Sequence, residues 1–72
     1  MAERRLGNRL KDARTARGWT QAELATRVGV SRKTINTVEN GVFVPSTALA
    51  LALAETLGAS VDALFYLEPD TG

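Results

Sequence analysis

Residues 29–41 read GVSRKTINTVENG, and their polar side chains are of types that recognise rather than react. Arg32 and Lys33 are cations, Asn36 and Asn40 carry amide donors beside acceptors, and Ser31 and Thr37 add hydroxyls. Such a set can neutralise phosphate and meet the edges of nucleobases. Arg32 and Lys33 suit guanine, Asn36 suits adenine, and the Thr37 methyl suits thymine. It is poorly equipped to break bonds. The chain has no histidine and no cysteine, which removes the commonest general base, the usual zinc ligands and any disulfide. Ser31 and the threonines have no base beside them, and no Gly-Lys phosphate loop is present. A catalytic role, a metal and a cofactor are therefore not expected.

Whether these groups act together depends on the element that carries them. On a helical wheel of about 3.6 residues per turn, with Ile35 at 0°, Val38 and Ser31 fall on the same side. Arg32, Asn36, Asn40, Lys33 and Thr37 follow one another around the opposite side, with no acid among them. A surface that serves only solubility mixes both signs. Arg32 and Lys33 also occupy the first turn, where the helix dipole is positive and a cation costs about 0.3–1 kcal/mol. Phosphate turns that concentration of positive charge into an attraction. The alternative is tolerated surface charge. Glu39 lies close to the core side, and a half-buried carboxylate needs a cation. Arg14, bordering the stripe of Leu10 and Ala13, is the candidate.

Start and stop signals place this helix third of five. The first is expected from about Glu3 to Ala16, with Leu6, Leu10, Ala13 and Arg17 along one stripe and Gly18 as C-terminal cap. Thr20 and Glu23 form a capping-box pattern for the second, whose apolar side is Leu24, Ala25 and Val28. Gly29 ends it, Ser31 caps the third, and Gly41 closes that. VFVPS reads as an extended loop, because a residue before proline avoids the helical region. Ser46 caps a fourth helix. Its ALALALA run has the alternation of a strand, but Ala and Leu are strong helix formers and poor strand markers. Ser60 caps a short fifth helix carrying Val61, Leu64 and Phe65. The expected architecture is all-α, a compact five-helix domain over residues 1–68 with a frayed tail over 69–72.

Composition bounds the rest. Seventy-two residues, 44 % hydrophobic and 24 % charged, make one small domain with a limited core. No apolar run reaches the length of a membrane span, and the charged N-terminus lacks a secretory pattern, so a cytoplasmic protein with no membrane partner is expected. The net charge of +1 conceals a division. All nine Lys and Arg lie within residues 1–33, beside three acids, whereas residues 34–72 hold five acids and no base. Such asymmetry suggests one face for a polyanion, with chance segregation of surface charge as the alternative.

LKDARTARGWTQAELATRVGVSRKTINTVENGVFVPS, followed by LALAETLGASVDALF, resembles the lambda-repressor-like, Cro/XRE type of helix-turn-helix domain over about residues 5–66. TQAELA, VGVS, TINTVENG and the spaced LG, S, VD and LF of residues 57–65 are its most specific parts. The resemblance implies a five-helix bundle whose second and third helices form the helix-turn-helix, with the third in the major groove of double-stranded DNA. It places Ser31, Arg32, Lys33, Asn36 and Thr37 at base or near-base contacts. Gln21 falls where the family contacts phosphate and braces the recognition helix, and Asn40 at a phosphate contact. Arg14 and Glu39 fall on a structural ion pair. Lys33, Val42 and Val44 depart from a close subgroup that has Gln at the first and polar residues at the others. Trp19 stands where an aliphatic residue is common, and its position outside the recognition face favours a core role over base stacking.

The fourth helix is nearly apolar all round, and a helix apolar on both sides is expected to be buried on both. With Val42, Phe43, Val44, Tyr66 and Leu67 it supplies more apolar surface than a small monomer hides. A homodimer is expected, with Phe43, Leu51, Phe65, Tyr66 and Leu67 at the interface. Two recognition helices about 34 Å apart would then read an inverted repeat. Arg9, Lys11, Arg27, Gln21 and Asn40 would hold phosphates, so that Gln21→Ala weakens every site alike while Arg32→Ala relaxes sequence preference. Repression by occupancy is the simplest output. A DNA-binding antitoxin or a protein-interaction module on the same fold is the alternative.

Overall fold

Five short helices and a pair of three-residue strands make up the computed structural model, which describes residues 4–69. In chain order they are β1 (Leu6–Asn8), α1 (Leu10–Ala16), α2 (Gln21–Val28), α3 (Arg32–Glu39), α4 (Thr47–Leu57), α5 (Val61–Leu64) and β2 (Phe65–Leu67). Local chemistry sets most boundaries. Ser31, Ser46 and Ser60 each accept a hydrogen bond from the backbone N–H three residues on, satisfying a donor that the first turn leaves free. Thr20 and Glu23 complete a reciprocal capping box. Gly29 ends α2 with φ near 86°, a left-handed conformation that costs a glycine nothing, and so lets α3 turn away at once.

The core takes its fully buried side chains from every helix: Leu10, Leu24, Ile35, Val38, Leu53 and Leu64. Each such burial contributes roughly 1.5–3 kcal/mol. The ALALALA segment is helical, with Leu53, Ala54 and Leu57 turned inward. Trp19 packs against this core half-exposed, with the guanidinium of Arg27 stacked 4.2 Å from its ring centroid.

The two ends of the described chain depart from an all-helical plan. The first helix begins at Leu10, because Leu6–Asn8 pairs antiparallel with Phe65–Leu67, Gly7 opposite Tyr66. Arg9 N–H to Leu64 O and Glu68 N–H to Arg5 O, both 2.8 Å, extend the ladder. Gly7 and Asn8 are weak helix formers, and Gly7 allows close approach: a Cβ there would collide with the Tyr66 ring. Phe65 accordingly opens a strand rather than ending α5. Of the expected tail, Pro69 alone is described. Glu3, the expected first helical residue, and residues 70–72 lie outside the described residues.

Candidate nucleic-acid interface

Helix α3 is held from beneath. Ile35 and Val38 are buried, and Glu39 is fixed by Arg14 of α1. Arg14 Nε donates to Glu39 Oε2 at 2.6 Å and Nη2 to Oε1 at 3.2 Å, while Nη1 donates to the Trp19 carbonyl at 2.8 Å. The two side chains are only 10 % and 3 % exposed, so each charge depends on the other for the solvation it has lost. The hydrogen bond to Glu39 is the main cause of the raised Arg14 pKa; burial acts against it, and the charge of Glu39 adds to the rise. Gln21 on α2 donates its Nε2 to Glu39 Oε1 at 3.1 Å. Asn8, two residues before α1, donates to the Val38 carbonyl and accepts from Leu10 N–H. Three elements therefore fix the end of α3 nearest its glycine.

The outward residues divide by how free they are. Arg32 and Lys33 are exposed, and among the described residues neither side chain makes a hydrogen bond or ion pair. Asn36 is exposed and joined to Gln21 and Asn40. The Thr37 hydroxyl shares its proton between the Lys33 and Thr34 carbonyls at 3.0 Å, which leaves it a methyl and acceptor lone pairs to offer but no donor. Ser31 is engaged as the N-cap, and its Oγ lies 2.9 Å from Thr34 Oγ1. Val42 and Phe43 N–H both donate to the Thr37 carbonyl, folding the loop back so that both side chains border a depression shared with Lys33 and Thr37. Phe43 thus flanks the outer face of α3.

The remaining cations are less uniform than their clustering suggests. Arg17 donates to the Leu57 carbonyl at the C-terminal end of α4, and Arg4 to the Leu67 and Glu68 carbonyls. Arg9 stacks on Tyr66 at 4.3 Å and Arg27 on Trp19, while Lys11 is exposed with no partner among the described residues. Part of the positive charge in residues 1–33 therefore fastens the fold. Asn8 and these stacks were missed in the sequence. An Asn just before a helical apolar run was the available signal for the first; the stacks join residues with no pattern between them.

Of the expected dimer contacts, Leu51, Phe43, Tyr66 and Leu67 are exposed, Leu51 at 56 %. Phe65 differs from them: it is 8 % exposed and belongs to the core, and it meets the surface only in the lining of the groove beside Leu51. A shallow apolar groove runs beside Leu51, bounded by Leu6, Pro45, Ala50 and Val61. Among the described residues no helix is long and apolar enough to cross a membrane.

A surface of free cations and ordered amides on the second of two helices joined by a tight glycine turn can attract phosphate and meet base edges. Comparison with known proteins agrees. A family model described as a helix-turn-helix domain matches residues 5–65. The chain is 40 % identical over 63 residues to an uncharacterised HTH-type transcriptional regulator, MJ0272, of Methanocaldococcus jannaschii, covering 88 % of this chain and 96 % of that one. It is 35 % identical, with the same coverage, to YgzD of Bacillus subtilis, another uncharacterised HTH-type transcriptional regulator. Among solved structures it superposes on the restriction-modification controller protein C.AhdI of Aeromonas hydrophila with a TM-score of 0.73 and 34 % identity, covering 76 % of this chain and 80 % of that one. With a putative DNA-binding protein of Bacteroides fragilis the TM-score is 0.77 at 26 % identity, covering 85 % and 98 %. The chain belongs to the helix-turn-helix family of DNA-binding transcriptional regulators, of the Cro/XRE type that its motifs resemble.

Proposed function

We propose that this regulator is a repressor that binds an inverted-repeat operator as a homodimer. The observation that carries the reading is the outer face of α3, where Arg32 and Lys33 are held free of partners at the electropositive end of a rigidly seated helix. Arg32 and Lys33 are assigned to guanine, Asn36 to adenine and the Thr37 methyl to thymine. Ser31 has a lesser part, since its hydroxyl is already engaged. Lys11 and Asn40 are assigned to phosphates, with Arg9 and Arg27 as stacked, solvent-facing cations beside them. The exposed aliphatic face around Leu51 supports the dimer, and two copies related by a two-fold axis would present their α3 helices to successive major grooves. Repression follows from occupancy of the site. The groups gathered on α3 are donors and acceptors without a nucleophile–base pair, so binding rather than catalysis is the proposed activity.

Selection of bound sequences from a random duplex pool at fixed salt tests this. The expected product is an inverted repeat whose half-sites lie about 10 base pairs apart. Enrichment of a single unsymmetrical site, or of none, would count against the dimeric repressor.

A further inference from the structure

Five polar side chains run in one hydrogen-bonded line from the core to the outer face of α3, and the line has a direction. Its inner end is the Glu39 carboxylate, which can only accept. Arg14 donates to both oxygens of that carboxylate, and because the carboxylate offers only acceptors Gln21 turns its Nε2 inward, where it meets Glu39 Oε1 at 3.1 Å. That leaves Gln21 Oε1 facing outward, so Asn36 presents its Nδ2, at 3.5 Å, the longest link of the series. Asn36 Oδ1 then faces the other way and accepts from Asn40 Nδ2 at 3.3 Å. Each amide is oriented by the one before it, and the first by a buried charge.

We propose that Gln21 and Glu39 are positioning residues for base readout, in which the buried carboxylate of Glu39 sets the donor–acceptor polarity of the Asn36 amide and thereby its preference for adenine. This rests on the assignment of Asn36 as a base reader. With one N–H given to Gln21 and one lone pair given to Asn40, Asn36 keeps one N–H and one lone pair side by side. Adenine offers an acceptor, N7, beside a donor, N6–H, and fits that edge in one sense only. Turned through half a circle, the same amide would set donor against donor. An exposed asparagine free to rotate would spend part of its time in that wrong sense and lose affinity in proportion. Gln21 therefore has a role that a phosphate contact does not have, because a phosphate contact is blind to sequence.

The test uses the duplexes enriched by the wild-type protein, with each half-site base pair replaced in turn, titrated at fixed salt against wild type, Asn36→Ala, Gln21→Met and the double variant. The wild type should prefer adenine at one base pair per half-site by roughly tenfold, and Asn36→Ala should abolish that preference alone. Gln21→Met keeps the length of the side chain and leaves the Arg14–Glu39 pair in place. It should cut the adenine preference to roughly threefold or less, leave the preferences at the other base pairs unchanged, and add nothing to Asn36→Ala. Gln21→Ala gives the same comparison should the thioether disturb the fold, with thermal melts to show which variant is native. If Gln21→Met and Gln21→Ala lower affinity for all duplexes equally and the tenfold preference survives, the relay is overturned and Asn36 remains a reader. If Asn36→Ala leaves every preference intact, the base-reading assignment fails and the relay with it.

Discussion

Helices α3 and α4 each bury one face in the same core and leave the other unmatched, but in opposite ways. Helix α3 turns Ile35 and Val38 inward and shows cations and amides without a single acid on its outer side. Helix α4 turns Leu53, Ala54 and Leu57 inward and shows Leu51 outward, with Glu55 as its one charged residue. Water satisfies the first face and not the second; a polyanion suits the first, and a second apolar surface suits the second. The inner faces fold the molecule, and the outer faces are the ones to which the two proposed partners, DNA and a second copy, are assigned. Stability and binding are thereby separable on both helices, except at Glu39, which touches both.

Glu39 is where the largest effect is expected. Glu39→Ala leaves Arg14 buried without its counter-ion and should reduce stability by about 3–5 kcal/mol in denaturant titration. For a domain of this size that is a large fraction of the folding free energy. A loss under about 1 kcal/mol, the value of an exposed pair, would mean that the inner attachment of α3 is not electrostatic.

Next come Arg32→Ala and Lys33→Ala, where the two properties should move in opposite directions. Each should weaken binding to the preferred operator by about 1–3 kcal/mol while flattening preference at its own base pair. Each should also leave the melting temperature unchanged or slightly raised, since removing a cation from the first turn of a helix gains about 0.3–1 kcal/mol. Parallel losses of affinity and stability would place these residues in the fold instead.

The smallest effects compare the two caps. Ser31→Ala and Ser46→Ala each remove a side-chain acceptor from a helix N-terminus, and each should lower stability by about 1 kcal/mol. Only Ser31→Ala should also reduce DNA affinity when assayed well below the melting temperature. Equal affinity losses would show that the start of α4 is as close to DNA as the start of α3.

What could be read in the sequence was mostly local. Ser31, Ser46 and Ser60 act three residues away, so their positions give the starts of three helices directly. Arg14 and Glu39 could be paired because each lies at the margin of an apolar stripe, although they are 25 residues apart. The strand pair could not be read, because Leu6–Asn8 finds its partner in Phe65–Leu67 and three-residue strands carry too few positions for alternation to register. Phe65 shows the consequence. Helical spacing groups it with Val61 and Leu64 on α5 and the surplus of apolar residues assigns it to an interface, whereas it opens a nonlocal strand and lies in the core. Which cations are engaged within the fold could not be read, for a similar reason. Their number is visible in the sequence, but the stacking of Arg9 on Tyr66 and the bond from Arg17 to Leu57 depend on distant segments.

The separation of the two outer faces is tested most directly by repeating the duplex selection with Leu51→Glu. This residue is exposed, so the monomer should keep its fold to within about 0.5 kcal/mol. The wild-type protein should enrich an inverted repeat, and Leu51→Glu should enrich the same half-site bases singly, without a fixed spacing between copies. Enrichment of an unchanged inverted repeat by Leu51→Glu would contradict the assignment of the α4 face to the second copy.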